Sequence, residues 1–123
     1  LLHDHIDLRV RRLAEVRPLY DALLPALGYT RIVADETCAY YHLPGKDVDF
    51  FGITVDAHHR PNGTRIAFAA ASRAQVHELA ALASTAGARA FEAPHLCTEY
   101  AEKYYATFFE DAEGNKLEIC FRG

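Results

Sequence analysis

The sequence lacks a basic run, a long apolar stretch and any pair of closely spaced cysteines, and each absence removes a class of function. Thirteen Lys and Arg stand against 17 Asp and Glu for a net charge of -4, so nothing matches a phosphate backbone and nucleic acid is not an expected partner. No apolar segment approaches the ~20 residues that cross a bilayer, and no membrane association is expected. The opening Leu1-Leu2-His3-Asp4-His5 also lacks the charged-then-apolar layout of a secretion signal. Cys38, Cys97 and Cys120 are odd in number and contain no C-x-x-C, which argues against a disulfide framework or a cysteine-rich zinc site and points to a reducing, cytoplasmic setting. All three read as small buried hydrophobes. Low-complexity segments are missing too. What remains is a globular mixture, 50% hydrophobic and 24% charged, in a chain of 123 residues that suits one domain.

Within that domain the pattern repeats. His5-Ile6-Asp7-Leu8-Arg9-Val10 alternates polar and apolar as a strand does, and Arg65-Ile66-Ala67-Phe68-Ala69-Ala70 repeats it 60 residues later. A one-sided helix follows each. The first carries Val16, Leu19, Tyr20, Leu23 and Leu24; Pro18 fits only its first turn, and Pro25 is expected to end it before Gly28. The second carries Val76, Leu79, Ala80, Ala83 and Ala86, starts at a capping box of Ser72 and Gln75, and stops at Gly87. Three strands are expected after each helix: 29–34, 38–43 and 48–55, then 89–92, 104–110 and 116–122. Turn residues Pro44-Gly45-Lys46-Asp47 and Asp111-Ala112-Glu113-Gly114-Asn115 separate the last pair in each half. The expected organisation is module one over 1–57, a linker over 58–63 with His58 and His59 in a solvated loop, and module two over 64–123.

These pieces, with Leu19-Tyr20-Asp21 leading to Leu27-Gly28-Tyr29 and Asp111-Ala112-Glu113-Gly114-Asn115-Lys116-Leu117-Glu118 near the end, resemble the vicinal oxygen chelate superfamily of glyoxalases, bleomycin-resistance proteins and extradiol dioxygenases. The resemblance implies an α+β fold in which two βαβββ modules form a cup-shaped mixed sheet with helices on its outer face. It also implies a homodimer and a small-molecule ligand in the cup. If Ile6, Leu8, Ile66, Phe68, Leu117, Ile119 and Phe121 pack under the helices, strand parity turns His5, Asp7, Arg9, Arg65, Lys116, Glu118 and Arg122 to the other face.

Metal-using members of the superfamily take ligands from the first, fifth and eighth strands, some adding one from the fourth. The resemblance puts His5 and Glu118 at the first and last of these positions, as ligands of a divalent Zn, Ni, Mn or Fe ion or as catalytic acid and base. Arg65 holds the fifth-strand position and cannot donate a lone pair, and Gly52 holds the fourth. Arg65 is therefore expected to pair with Glu118 in place of a metal. Asp7, Phe50, Tyr100 and Tyr105 are further candidates to line the pocket, the tyrosines beside a long connection over 94–103. Such a pocket favours an amphiphilic or aromatic molecule. Two functions fit: a lyase, isomerase or dioxygenase acting on a small oxygenated molecule, and a metal-free small-molecule or drug-binding protein of the resistance type.

Overall fold

A computed structural model describes residues 3–45 and 50–123. Leu1, Leu2, Lys46, Asp47 and the expected strand start at Val48 lie outside the described residues. The chain divides into two compact units, Leu1–Arg60 and Pro61–Gly123. In the first, β1 (His5–Val10), α1 (Leu13–Ala26), β2 (Arg31–Ala34), β3 (Cys38–His42) and β4 (Phe50–Val55) form a sheet of order β1-β4-β3-β2 with one helix. In the second, β5 (Arg65–Ala69), α2 (Arg73–Thr85), β6 (Arg89–Leu96), β7 (Tyr105–Glu110) and β8 (Lys116–Phe121) form β5-β8-β7-β6. The first and last strands of each unit run parallel and the remaining neighbours antiparallel, so both units are βαβββ modules with mixed sheets. Among the described residues no helix is long and apolar enough to cross a membrane.

Alternation makes each sheet two-faced. In the first unit Val10, Ala39, Tyr41, Phe51 and Ile53 are buried on the side of α1, which contributes Leu13, Val16, Leu19, Tyr20, Leu23 and Leu24. In the second, Phe68, Phe109, Leu117 and Ile119 share the side of α2 with Val76, Leu79, Ala80 and Ala83. Each such aliphatic or aromatic side chain contributes roughly 1.5–3 kcal/mol on leaving water, and that drive fixes which way the strands beneath each helix face.

Helix α1 corrects the expected role of its prolines. It begins at Leu13, which puts Pro18 beyond the first turn, and it continues through Pro25 to Ala26. Each proline removes one internal hydrogen bond, a loss offset by the six buried side chains of this helix. Helix α2 begins as expected: Ser72 Oγ accepts from the Gln75 amide at 3.0 Å, while Gln75 Oε1 reaches back one residue further, to the Ala71 amide. Gly28 and Gly87 take positive φ (114° and 104°) just past the two helices. Strand β6 runs to Leu96, past the expected end at Glu92, so Pro94, His95 and Leu96 of the expected long connection are strand. Two register irregularities against β7 let it bend around Pro94. The thiols also differ from expectation, since only Cys97 is buried and Cys38 and Cys120 are half-buried.

A buried phenol ties α1 to its sheet. Tyr41 is fully buried, and its hydroxyl donates to Asp21 Oδ1 at 2.7 Å, where Arg17 also bonds the carboxylate from one turn away. Burial, with Asp21 beside it, pushes the Tyr41 phenol well above its usual range, so it remains a donor. Asp21→Ala leaves that hydroxyl without an acceptor and is expected to destabilise the protein by about 2 kcal/mol, whereas Asp21→Ala combined with Tyr41→Phe recovers part of the loss. Urea denaturation of the single and double variants measures both.

Candidate functional site

The turn between β7 and β8 positions the central carboxylate. Asp111 is buried; its Oδ1 accepts from the amides of Glu113 and Asn115, its Oδ2 from the Asn115 side chain at 2.8 Å, and Gly114 takes φ 96°. The Asp111 to Glu118 motif is therefore turn chemistry that delivers Glu118 to the face opposite α2. There Glu118 lies beside Ala67 on β5 and Phe108 on β7, and it is only 5% exposed. Its Oε2 accepts a hydrogen bond from the Tyr104 hydroxyl. Tyr104 reaches it because the intervening pair, Ala106 and Cys120, is small. Cys97, Tyr104, Ala106 and Phe108 pack as one apolar cluster on this face. Burial, with Cys120 and Glu118 alongside, drives the Tyr104 phenol far above its usual range, so it stays protonated and donating. Burial and the neighbouring carboxylates of Glu99, Glu118 and Glu92 raise the Cys97 thiol, which leaves it a poor nucleophile.

Arg65 shares this face but does not pair with Glu118. Its guanidinium crosses β8 to lie 5.0 Å from the centroid of the Phe108 ring, and Nη1 donates to the Leu117 carbonyl at 3.4 Å. The register explains the difference from expectation, since Arg65 stands opposite Lys116 and Glu118 opposite Ala67. Arg122 covers the Tyr104 ring in the same way at 4.8 Å. Tyr100 lies on the loop after β6, 62% exposed, with its ring 5.3 Å from that of Tyr104. Tyr105 departs from its expected place: odd parity turns it to the α2 side, where its hydroxyl meets His77 Nε2 at 2.8 Å and its ring lies under Arg73.

In the first unit the face opposite α1 carries His5, Asp7, Phe50, Gly52 and Thr54 on paired strands. His5 stacks on Phe50 with ring centroids 4.7 Å apart and planes 7° from parallel, while its Nδ1 lies 2.7 Å from Asp4. Asp7 is occupied, accepting from Thr54 Oγ1 at 3.0 Å and from Arg9 at 2.9 Å. Tyr40 and His42 complete an aromatic cluster around Phe50. The sequence offered no reason to join Tyr40, His42 and Tyr104 to these faces beyond their even parity on β3 and just before β7, a signal that shows which side but not which neighbour.

The donor set does not fit a metal centre of the kind the resemblance implies. Among the described residues no three His, Cys, Asp or Glu groups converge to hold an ion. Arg65 brings a fixed cation to one implied ligand position. At another, a Cβ on Gly52 would sit 2.9 Å from the Tyr40 ring, which occupies that space. Glu118 already serves Tyr104. A cavity of about 430 Å³ lined by Arg11, Arg12 and Ala57 lies past the end of β1 and involves none of the candidate residues.

Removing the Tyr104 hydroxyl strands a buried carboxylate. Tyr104→Phe is expected to destabilise the protein by about 1–3 kcal/mol, with most of that cost absent when Glu118→Leu is already in place. Chemical denaturation of the four members of the cycle gives the coupling; independent, additive effects would refute it.

No protein-family model matches the sequence, and no curated protein does. Solved structures match over nearly the whole chain. A glyoxalase/bleomycin resistance protein from Albidiferax ferrireducens T118 superposes with a TM-score of 0.82 at 28% identity, covering 99% of this chain and 100% of that one. A glyoxalase-related enzyme from Fulvimarina pelagi gives 0.74 at 16% identity, over 98% of this chain and 88% of its own. A glyoxalase/bleomycin resistance protein/dioxygenase family enzyme from Burkholderia phytofirmans PsJN gives 0.73 at 12%, over 98% of both chains. The last two likenesses speak to fold alone; together with the first and with the paired βαβββ modules, they show strong structural homology of this chain to the glyoxalase/bleomycin resistance/dioxygenase structures of the vicinal oxygen chelate superfamily.

Proposed function

We propose that the protein binds a small oxygenated or aromatic molecule without a metal, in the manner its likeness to a glyoxalase/bleomycin resistance protein suggests. The observation that carries this reading is Arg65, whose guanidinium rests on Phe108 at an implied ligand position. A guanidinium supported on a ring keeps donors available for carboxylate or phenolate oxygens, and the aromatic faces of Phe108 and Tyr104 suit the apolar part of an amphiphilic ligand. The proposed setting is a homodimer in a reducing cytoplasm. In the enzymatic alternative, a lyase, isomerase or dioxygenase, Glu118 acts as the base, which its retained carboxylate and buried position favour.

Protein purified without chelators is expected to carry far less than one divalent ion per chain, and its melting temperature is expected not to respond to EDTA or to added zinc, nickel, manganese or iron. A panel of small aromatic carboxylates is expected to raise the melting temperature, and Arg65→Ala to abolish that rise. Stoichiometric metal in the unmodified protein would overturn the metal-free reading. Turnover of any panel member that Glu118→Gln stops, with binding retained, would select the enzymatic alternative.

A further inference from the structure

We propose that His95 is the second polar anchor of the site around Arg65 and Phe108, its Nε2 accepting a hydrogen bond from a hydroxyl of the ligand, which makes the ligand class an aromatic hydroxy acid. The inference rests on the binding reading above and adds what the far end of the ligand carries. An unbroken β6 would turn His95 to the side of α2, away from Glu92, because the two residues are three positions apart. The register irregularity between them changes this. Glu92 stands beside Phe108 and His95 beside Ala106, so three steps along β6 match two along β7 and both side chains lie on the face of Glu118. The His95 ring comes to lie 6.0 Å from the Phe108 ring, centroid to centroid, while Arg65 approaches the same ring at 5.0 Å from the other edge strand of the sheet.

The backbone also sets what the imidazole can do. His95 Nδ1 lies 2.8 Å from the Ala93 carbonyl oxygen. A carbonyl oxygen only accepts, so the ring proton sits on Nδ1 and the neutral imidazole keeps its lone pair on Nε2. Ala93 lies inside the irregularity, so the distortion that re-aims the ring also supplies the group that fixes its tautomer. The His95 side chain is exposed, and no other described residue hydrogen-bonds the ring. Charge on this face selects what meets Nε2. Glu92 and Glu118 flank Phe108 on its two neighbouring strands, so a second anion is repelled there, whereas a neutral hydroxyl donates to the imidazole without opposing them. Arg65 then holds the ligand's carboxylate and His95 takes its hydroxyl, with the ligand ring across Phe108.

Isothermal titration of the full chain with benzoate, the three hydroxybenzoate isomers and their methyl ethers tests this, since the isomers scan the spacing and the ethers fill the same place with no proton to give. At least one hydroxybenzoate is expected to bind about tenfold more tightly than benzoate and than its own ether, the worth of one hydrogen bond. His95→Phe is expected to bring that ratio close to one, and His95→Gln, which keeps an acceptor, to retain part of it; circular dichroism checks that both variants fold. Proton–nitrogen correlation spectra are expected to show the Nδ1-protonated tautomer and a shift at Nε2 on adding that hydroxybenzoate but not benzoate. Benzoate binding that depends on Arg65 but shows no preference for a hydroxyl, a preference that survives in His95→Phe, or a proton found on Nε2 would overturn the proposal and leave the binding reading standing. Failure of every probe to bind, or binding unchanged in Arg65→Ala, would overturn both.

Discussion

Each sheet spends one face on its helix, and everything chemical about the protein follows from that constraint. A helical crossover links the first strand of each unit to three more, and one side of the central strands is drawn under a single helix. The opposite face then receives whatever the alternation leaves over. In the first unit that includes two imidazoles, a carboxylate paired with the Arg9 guanidinium, and a set of rings; in the second it includes the Glu118 carboxylate, the guanidiniums of Arg65 and Arg122, and another set of rings. Nothing placed them there individually. The packing of Phe51, Ile53, Leu117 and Ile119 on one side placed His5, Asp7, Arg65 and Glu118 on the other.

On those faces, rings and charges have replaced the ligand pattern that the superfamily resemblance implies. Buried carboxylates need compensation, and Glu118 takes it from a phenol. Guanidiniums settle on aromatic faces, where dispersion and the ring quadrupole hold them without a carboxylate. The outcome is a set of donors resting on apolar supports in place of an open coordination sphere.

Much of this was legible in the residues. Period-two alternation is local, so the paired strands, the helices between them and the side on which Glu118 and His5 lie could be read directly, as could the Ser72 cap and the Asp111 turn. The misses share a different origin. Pro18 and Pro25 read as helix boundaries because proline's local penalty is visible, while the burial that offsets it is not. The reach of Tyr104 to Glu118 depends on Ala106 and Cys120 being small in a neighbouring row, and the path of Arg65 to Phe108 depends on cross-strand register, which no single strand encodes. The side of Tyr105 follows from counting along β7: it shares the parity of Thr107 and Phe109, the side of α2.

The Tyr40 ring over Gly52 couples two positions of the sheet. A Cβ at position 52 would lie 2.9 Å from that ring, so a side chain there requires the tyrosine to shift. A donor on the fourth strand therefore calls for a change at Tyr40 as well as at Gly52. Each change alone carries a cost, the first opening a gap beside Phe50 and the second meeting a ring if attempted early. Neither position can be altered toward a metal donor independently of the other.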